Sequence, residues 1–117
     1  MAVAASRLQF IKDMRLLANT VPPASCVLTE LPILVQLYAK RLAVLPAWTT
    51  LREASRVGAV CPYYYLIPIM LPPQDSPAEV AAFASRHRVL QISNSPRDPT
   101  GREKLGVLLE LTPDGWP

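Results

Sequence analysis

The sequence predicts a small single-domain α+β fold with the element order βαββαβ and one further strand towards the C-terminus. Three observations point there. Residues 60–73 (VCPYYYLIPIMLPP) form an uncharged block rich in aromatic and branched side chains, as in a strand covered on both faces. Asp75-Ser76-Pro77-Ala78-Glu79 carries a helix start, with Ser76 as cap, Pro77 at the first helical position and Glu79 completing a capping box. The 117 residues, half of them hydrophobic and 18% charged, supply one modest core and exclude wholesale disorder.

Taken in order, residues 1–13 are expected as an N-terminal extension, 14–93 as the α+β domain, and 94–117 as a C-terminal loop, strand and tail. Residues 6–20 place Leu8, Ile11, Arg15 and Phe10, Met14, Leu17 at mixed helical spacings, with Leu8, Ile11 and Leu16 able to make one face, and residues 14–21 read equally as a first strand. Pro22-Pro23 ends whichever forms. Residues 25–45 (SCVLTELPILVQLYAKRLAVL) predict a helix. Thr29 can cap it and Pro32 suits its first turn. Leu34, Leu37, Tyr38, Arg41, Leu42 and Leu45 recur at threes and fours, a stripe expected in the core. Pro46 stops it. Trp48, Thr49 and Thr50 suit a strand, taken over 47–57 in the element order, whereas residues 51–56 (LREASR) suit a helix turn; the tyrosine block reads as a strand over 63–71. Pro68 implies an edge position or a bulge in that strand.

A membrane span is the rival reading of the block, because residues 57–74 run for 18 positions without a charge. Pro62, Pro68, Pro72 and Pro73 argue against that helix, since each interior proline removes a hydrogen bond and clashes with the preceding turn. A helix over 76–87 follows, with Val80, Phe83 and Ala84 facing inwards. A strand over 89–93 and another over 105–111 are expected to pair as a hairpin across the polar loop 94–104.

Net charge is +3, and the nine arginines against three lysines lean the chain towards RNA or an acidic protein surface, because arginine grips phosphate and carboxylate bidentately. Thirteen prolines against four glycines suggest stiff, extended connections. Cys26 and Cys61 stand 35 apart in no metal-ligand spacing and read first as two buried free thiols, with a disulfide between them as the alternative. The single histidine, His87, lies between Arg86 and Arg88, which lower its proton affinity, and no motif supplies a nucleophile or orienting partner. No metalloprotease, hydrolase-elbow, P-loop or dinucleotide motif is present, so neither catalysis nor a cofactor or metal is expected. The candidate binding residues are Arg86 and Arg88 with Arg97, Arg102 and Lys104, which a hairpin could set along one rim against phosphates. Tyr63, Tyr64 and Tyr65 are the candidate docking residues for a neighbouring protein.

The predicted order is the ferredoxin-like split arrangement, which many unrelated proteins share. Within it, residues 63–93 resemble the third strand, second helix and fourth strand of the sixth small-subunit ribosomal protein family. The resemblance is carried by Tyr65, Pro72, Glu79 and Val89-Leu90-Gln91, with Gly58 and Pro62-Tyr63 upstream; Gln91 stands where that family often has arginine. It implies a non-catalytic protein of the small ribosomal subunit, touching rRNA and a neighbouring protein. The prolines and the C-terminal segment fit a divergent mitochondrial version. Residues 2–17, with Arg7, Lys12 and Arg15, resemble a mitochondrial targeting helix, although Asp13 departs from its acid-poor rule. The alternative is an accessory subunit of a mitochondrial membrane complex, respiratory or ATP synthase, whose apolar block touches lipid.

Overall fold

A computed structural model describes residues 2–45, 61–70 and 77–111. The chain is a small α+β domain: among the described residues three α-helices pack on a five-stranded mixed sheet. Helix α1 (Ala2–Thr20) comes first. Strand β1 (Cys26–Thr29), helix α2 (Pro32–Ala39) and strand β2 (Leu42–Val44) form a parallel β–α–β unit. Strand β3 (Tyr63–Leu66) is followed by a 3-10 turn (Pro68–Met70) and helix α3 (Pro77–Ser85). Strands β4 (Arg88–Asn94) and β5 (Lys104–Glu110) complete the sheet.

The sheet order is β2-β1-β3-β5-β4. β1 runs parallel to both of its neighbours, with Val27 opposite Ala43 on one side and Tyr63 on the other. β5 returns antiparallel between β3 and β4, so the anticipated hairpin forms. Its register shifts at Val89/Gln91 and Ser93/Asn94. β5 therefore lies inside the sheet, so the described part of the C-terminal segment, residues 94–111, is integral to the domain. The anticipated boundary at residue 13 likewise falls within α1.

The sheet buries both faces. Under α1 and α2 lie Met14, Leu17, Val21, Val27, Val35, Ala39, Ala43, Tyr65, Ile67 and Leu108. Under α3 lie Leu28, Cys61, Tyr64, Leu66, Phe83, Val107, Leu109 and Leu111. Tyr64 and Tyr65 alternate between these two cores, which is why β3 is apolar without alternation. β3 is a central strand, not an edge. It avoids conflict with Pro68 by ending at Leu66, and the proline opens the 3-10 turn instead.

Two anticipated elements differ. Residues 14–21 are not a strand: they continue α1 to Thr20, and Met14, Leu17 and Val21 are its buried positions while Leu8 and Leu16 are exposed. The helix ends as Thr20 Oγ and the Val21 N–H return to the Leu16 and Leu17 carbonyls, just before Pro22-Pro23. Residues 25–45 are not one helix. Pro32 starts α2, and Lys40 adopts a left-handed conformation (φ 57°) that stops it after eight residues. Arg41 then locks the corner by donating to the carbonyls of Ala18, Val21, Ala39 and Lys40. From α2 onwards, over 32–45, the buried residues are Val35, Ala39 and Ala43, spaced by four, whereas the leucines expected inside face outwards.

Cys26 and Cys61 are joined by a disulfide, which corrects the expectation of free thiols. Parallel pairing of Val27 with Tyr63 brings the N-terminal ends of β1 and β3 side by side, with the cysteine Cα atoms 5.1 Å apart. The strand anticipated over 47–57, the Ser76 cap and the tail 112–117 lie outside the described residues. α3 begins at Pro77 and turns Phe83 into the core, with Val80 and Ala84 packed beside it.

Candidate interaction surfaces

The basic residues singled out from the sequence fall into two groups at opposite ends of β4. Arg86 and Arg88 stand where α3 gives way to β4, with His87 between them. Arg97, Arg102 and Lys104 stand beyond its other end, about 20 Å away along a seven-residue strand. They do not share one rim. Several also have internal partners. Arg97 grips Glu103 with two parallel hydrogen bonds of 2.7 and 2.6 Å, and this pairing holds the Glu103 carboxyl down at about 2. Lys104 Nζ donates to Asn94 Oδ1 at 2.7 Å and to the Gly101 carbonyl at 2.9 Å. Arg88 faces Glu110 at 3.6 Å across the hairpin. Asp98 organises the loop, accepting from the Thr100 and Glu103 N–H groups. Arg86 and Arg102 are exposed.

The aromatic candidates are placed inside. Tyr64 and Tyr65 are 0% and 1% exposed, so neither can meet a partner, and Tyr63 is half-buried. Their hydroxyls reach two carboxylates, those of Glu30 and Asp13, to which the sequence assigns no such contact. Tyr65 donates to Asp13 Oδ2 at 2.7 Å; Ser93 Oγ donates to the same oxygen at 2.5 Å, and Gln9 Nε2 to Oδ1 at 2.9 Å. Burial, then the Asp13 charge, pushes the Tyr65 hydroxyl far up from its ordinary value. This network pins α1 onto β3 and β4. Gly106 makes room for it, because a Cβ there would collide with the Tyr65 ring and hydroxyl.

Glu30 accepts from the Tyr64 hydroxyl and, at 2.6 Å, from the Ile67 N–H. It thus ties the C-terminal end of β1 to that of β3, as the disulfide ties their N-terminal ends. Burial raises its carboxyl to about 7, against the lowering effect of those two bonds. The position is notable, since ligands of open α/β sheets gather at the carboxyl ends of strands whose connections diverge. Here both carboxylate oxygens are engaged within the fold, and Glu30 acts as a strut. His87 is also a core residue. It packs at 4.7 Å against Phe83, and burial, followed by the charge of Arg86, lowers its pKa below the ordinary value.

The outer surface of α1 and α2 has a different character. On α2, Ile33 is 78% exposed, Leu37 55%, Tyr38 44% and Leu34 36%. With 100° between successive residues and Val35 and Ala39 inward, Ile33 and Leu37 form the crest. Leu34 and Tyr38 lie on the flank towards α1, where Tyr38 meets Phe10 edge-to-face at 6.3 Å. On α1, Leu8, Lys12 and Arg15 project from the corresponding crest, with Arg7 and Ile11 towards the seam. Lys40 is exposed at the end of α2. The acidic residues of this layer, Asp13 and Glu30, are both drawn into the fold, so its described outer surface carries cations and no exposed carboxylate.

Among the described residues no helix is long and apolar enough to cross a membrane, and no group of three or more His, Cys, Asp or Glu is placed to hold a metal ion. No family model, curated protein or solved structure matches the chain.

Proposed function

We propose that this chain is a non-catalytic structural subunit of a large assembly, a mitochondrial ribosomal small-subunit protein that contacts rRNA and a neighbouring protein. The observation that carries the subunit reading is the inverted α2. Side chains whose spacing suits a core face outwards, beside cations left without exposed acidic neighbours. A domain built to stand alone gains nothing from four large apolar groups on one short helix.

The choice of assembly rests on the resemblance over residues 63–93. Phosphate contacts would draw on the exposed Arg86, Arg88 and Arg102. Arg97 and Lys104 would have to exchange internal partners to join them. The central parallel pair β1–β3 is the feature shared with a ferredoxin-like sheet; helices on both faces and the mixed five-strand order depart from it. The test is sedimentation of the native protein from mitochondrial extract. Co-migration with small-subunit rRNA, lost at high salt, is the expected result, because each phosphate contact releases counterions.

One observation favours a second reading. A disulfide is characteristic of oxidising compartments, and it fits an accessory subunit of a membrane complex that faces one. Co-migration with a detergent-solubilised respiratory or ATP synthase complex, in place of rRNA, would transfer the assignment there.

A further inference from the structure

We infer that the seam between α1 and α2 seats an acidic amphipathic helix of a partner protein. The inference rests on the subunit reading and specifies the protein neighbour's chemistry. The seam is lined by half-buried Ile11 and by the exposed side chains of Leu34 and Tyr38, with the crest residues Ile33 and Leu37 on one side. Arg7, Lys12 and Arg15 stand on the α1 side, and Lys40 at the end of α2. A helix laid along such a seam would present its apolar stripe to these side chains and carboxylates to the cations.

Other occupants fit less well. A second copy of this chain would bring the same cations together, since the described residues of the layer include no exposed carboxylate to answer them. RNA would satisfy the cations but leave Ile33, Leu34 and Leu37 without an apolar partner. A bilayer is broad and flat. It would reach the crest at Ile33, but Leu34 and Tyr38 are set back in the seam at roughly half that exposure, and α2 is only about 12 Å long. A single helix is narrow enough to enter.

The test uses the full chain, labelled with 15N, and two synthetic helical peptides that share one leucine stripe. One is flanked by glutamate and the other by lysine. Phosphatidylserine/phosphatidylcholine vesicles and a short single-stranded RNA serve as competing probes. The expected result is binding of the glutamate-flanked peptide alone, with amide shifts confined to residues 7–18 and 31–41. Leu37→Ser should weaken that binding by about tenfold or more while leaving the circular dichroism spectrum unchanged, because Leu37 is exposed. Arg15→Glu should weaken it further and flatten its salt dependence. Failure of the glutamate-flanked peptide to bind, shifts outside α1 and α2, or binding of vesicles or RNA there in its place would overturn the inference. If the native protein nevertheless co-sediments with an assembly, the subunit reading survives and only the docking helix is lost.

Discussion

Replacing Glu30 with glutamine should make the protein more stable at neutral and alkaline pH, and should remove a pH dependence from the wild type. The Glu30 carboxyl is largely buried between β1 and β3, and burial outweighs the hydrogen bonds from Tyr64 and Ile67, raising its pKa from 4.5 to about 7. Between those two values the folded chain holds a proton that the unfolded chain has released. Stability is therefore complete below about pH 4.5 and falls as pH rises towards 7. At about 1.4 kcal/mol for each tenfold shift, the loss amounts to about 3 kcal/mol. Glu30→Gln fixes the group in a neutral state of the same shape. Its carbonyl can keep the Ile67 N–H, and the Tyr64 hydroxyl can turn from donor to acceptor. Urea denaturation at intervals from pH 4.5 to 8.5 measures the difference between wild type and variant. His87 titrates in part of the same window with the opposite sign, because its lowered pKa means stability is lost as pH falls. That contribution is common to both proteins and cancels in the difference. A wild-type-minus-variant stability that stays flat across the range would refute the argument.

Three further outcomes are expected. Reducing the Cys26–Cys61 disulfide, which spans 35 positions, should lower stability by about 4 kcal/mol on the chain-entropy estimate, seen as a lower urea midpoint in dithiothreitol. Asp13→Asn would turn an amide N–H towards the donors Tyr65, Ser93 or Gln9; a loss of about 2–3 kcal/mol is anticipated, and a thermal melt matching wild type would count against the network. Gly106→Ala should cost about 1–3 kcal/mol, since the new methyl group meets the Tyr65 ring from inside the core; a neutral outcome in urea denaturation would show that β5 can shift to admit it.

Much of the right-hand half of the sheet was legible in the residues themselves. The start of α3 at Pro77, its inward Phe83 and the β4–β5 hairpin all follow from local signals that act within a few positions: a proline suited to the first helical position, a helical period, strands flanking a polar loop. The double burial of the tyrosine strand was likewise visible as apolarity without alternation. The first half misled for a definable reason. Cys26 to Val44 is nearly continuous in apolar residues, and a period of three or four can be found in it by choosing the leucines. The cue that breaks it is a single left-handed residue at Lys40, which no propensity marks, with Arg41 reaching back to the end of α1.

The candidate surfaces divide in the same way. Which residues are cationic, aromatic or acidic was fixed by composition, and the lean towards an anionic partner follows from it. Their availability was decided by tertiary contacts. Tyr64 and Tyr65 were withdrawn into the cores by Glu30 and Asp13, acids more than 30 positions away in the chain. Arg97 was engaged by Glu103, and the cysteines met only because β1 and β3 run parallel. α2 turned its leucines outwards because Val35, Ala39 and Ala43 let it lie close to the sheet. Local sequence determines the kind of element and the chemistry it carries. Which face is buried depends on what the rest of the chain brings against it, and that is set by packing between segments far apart in sequence.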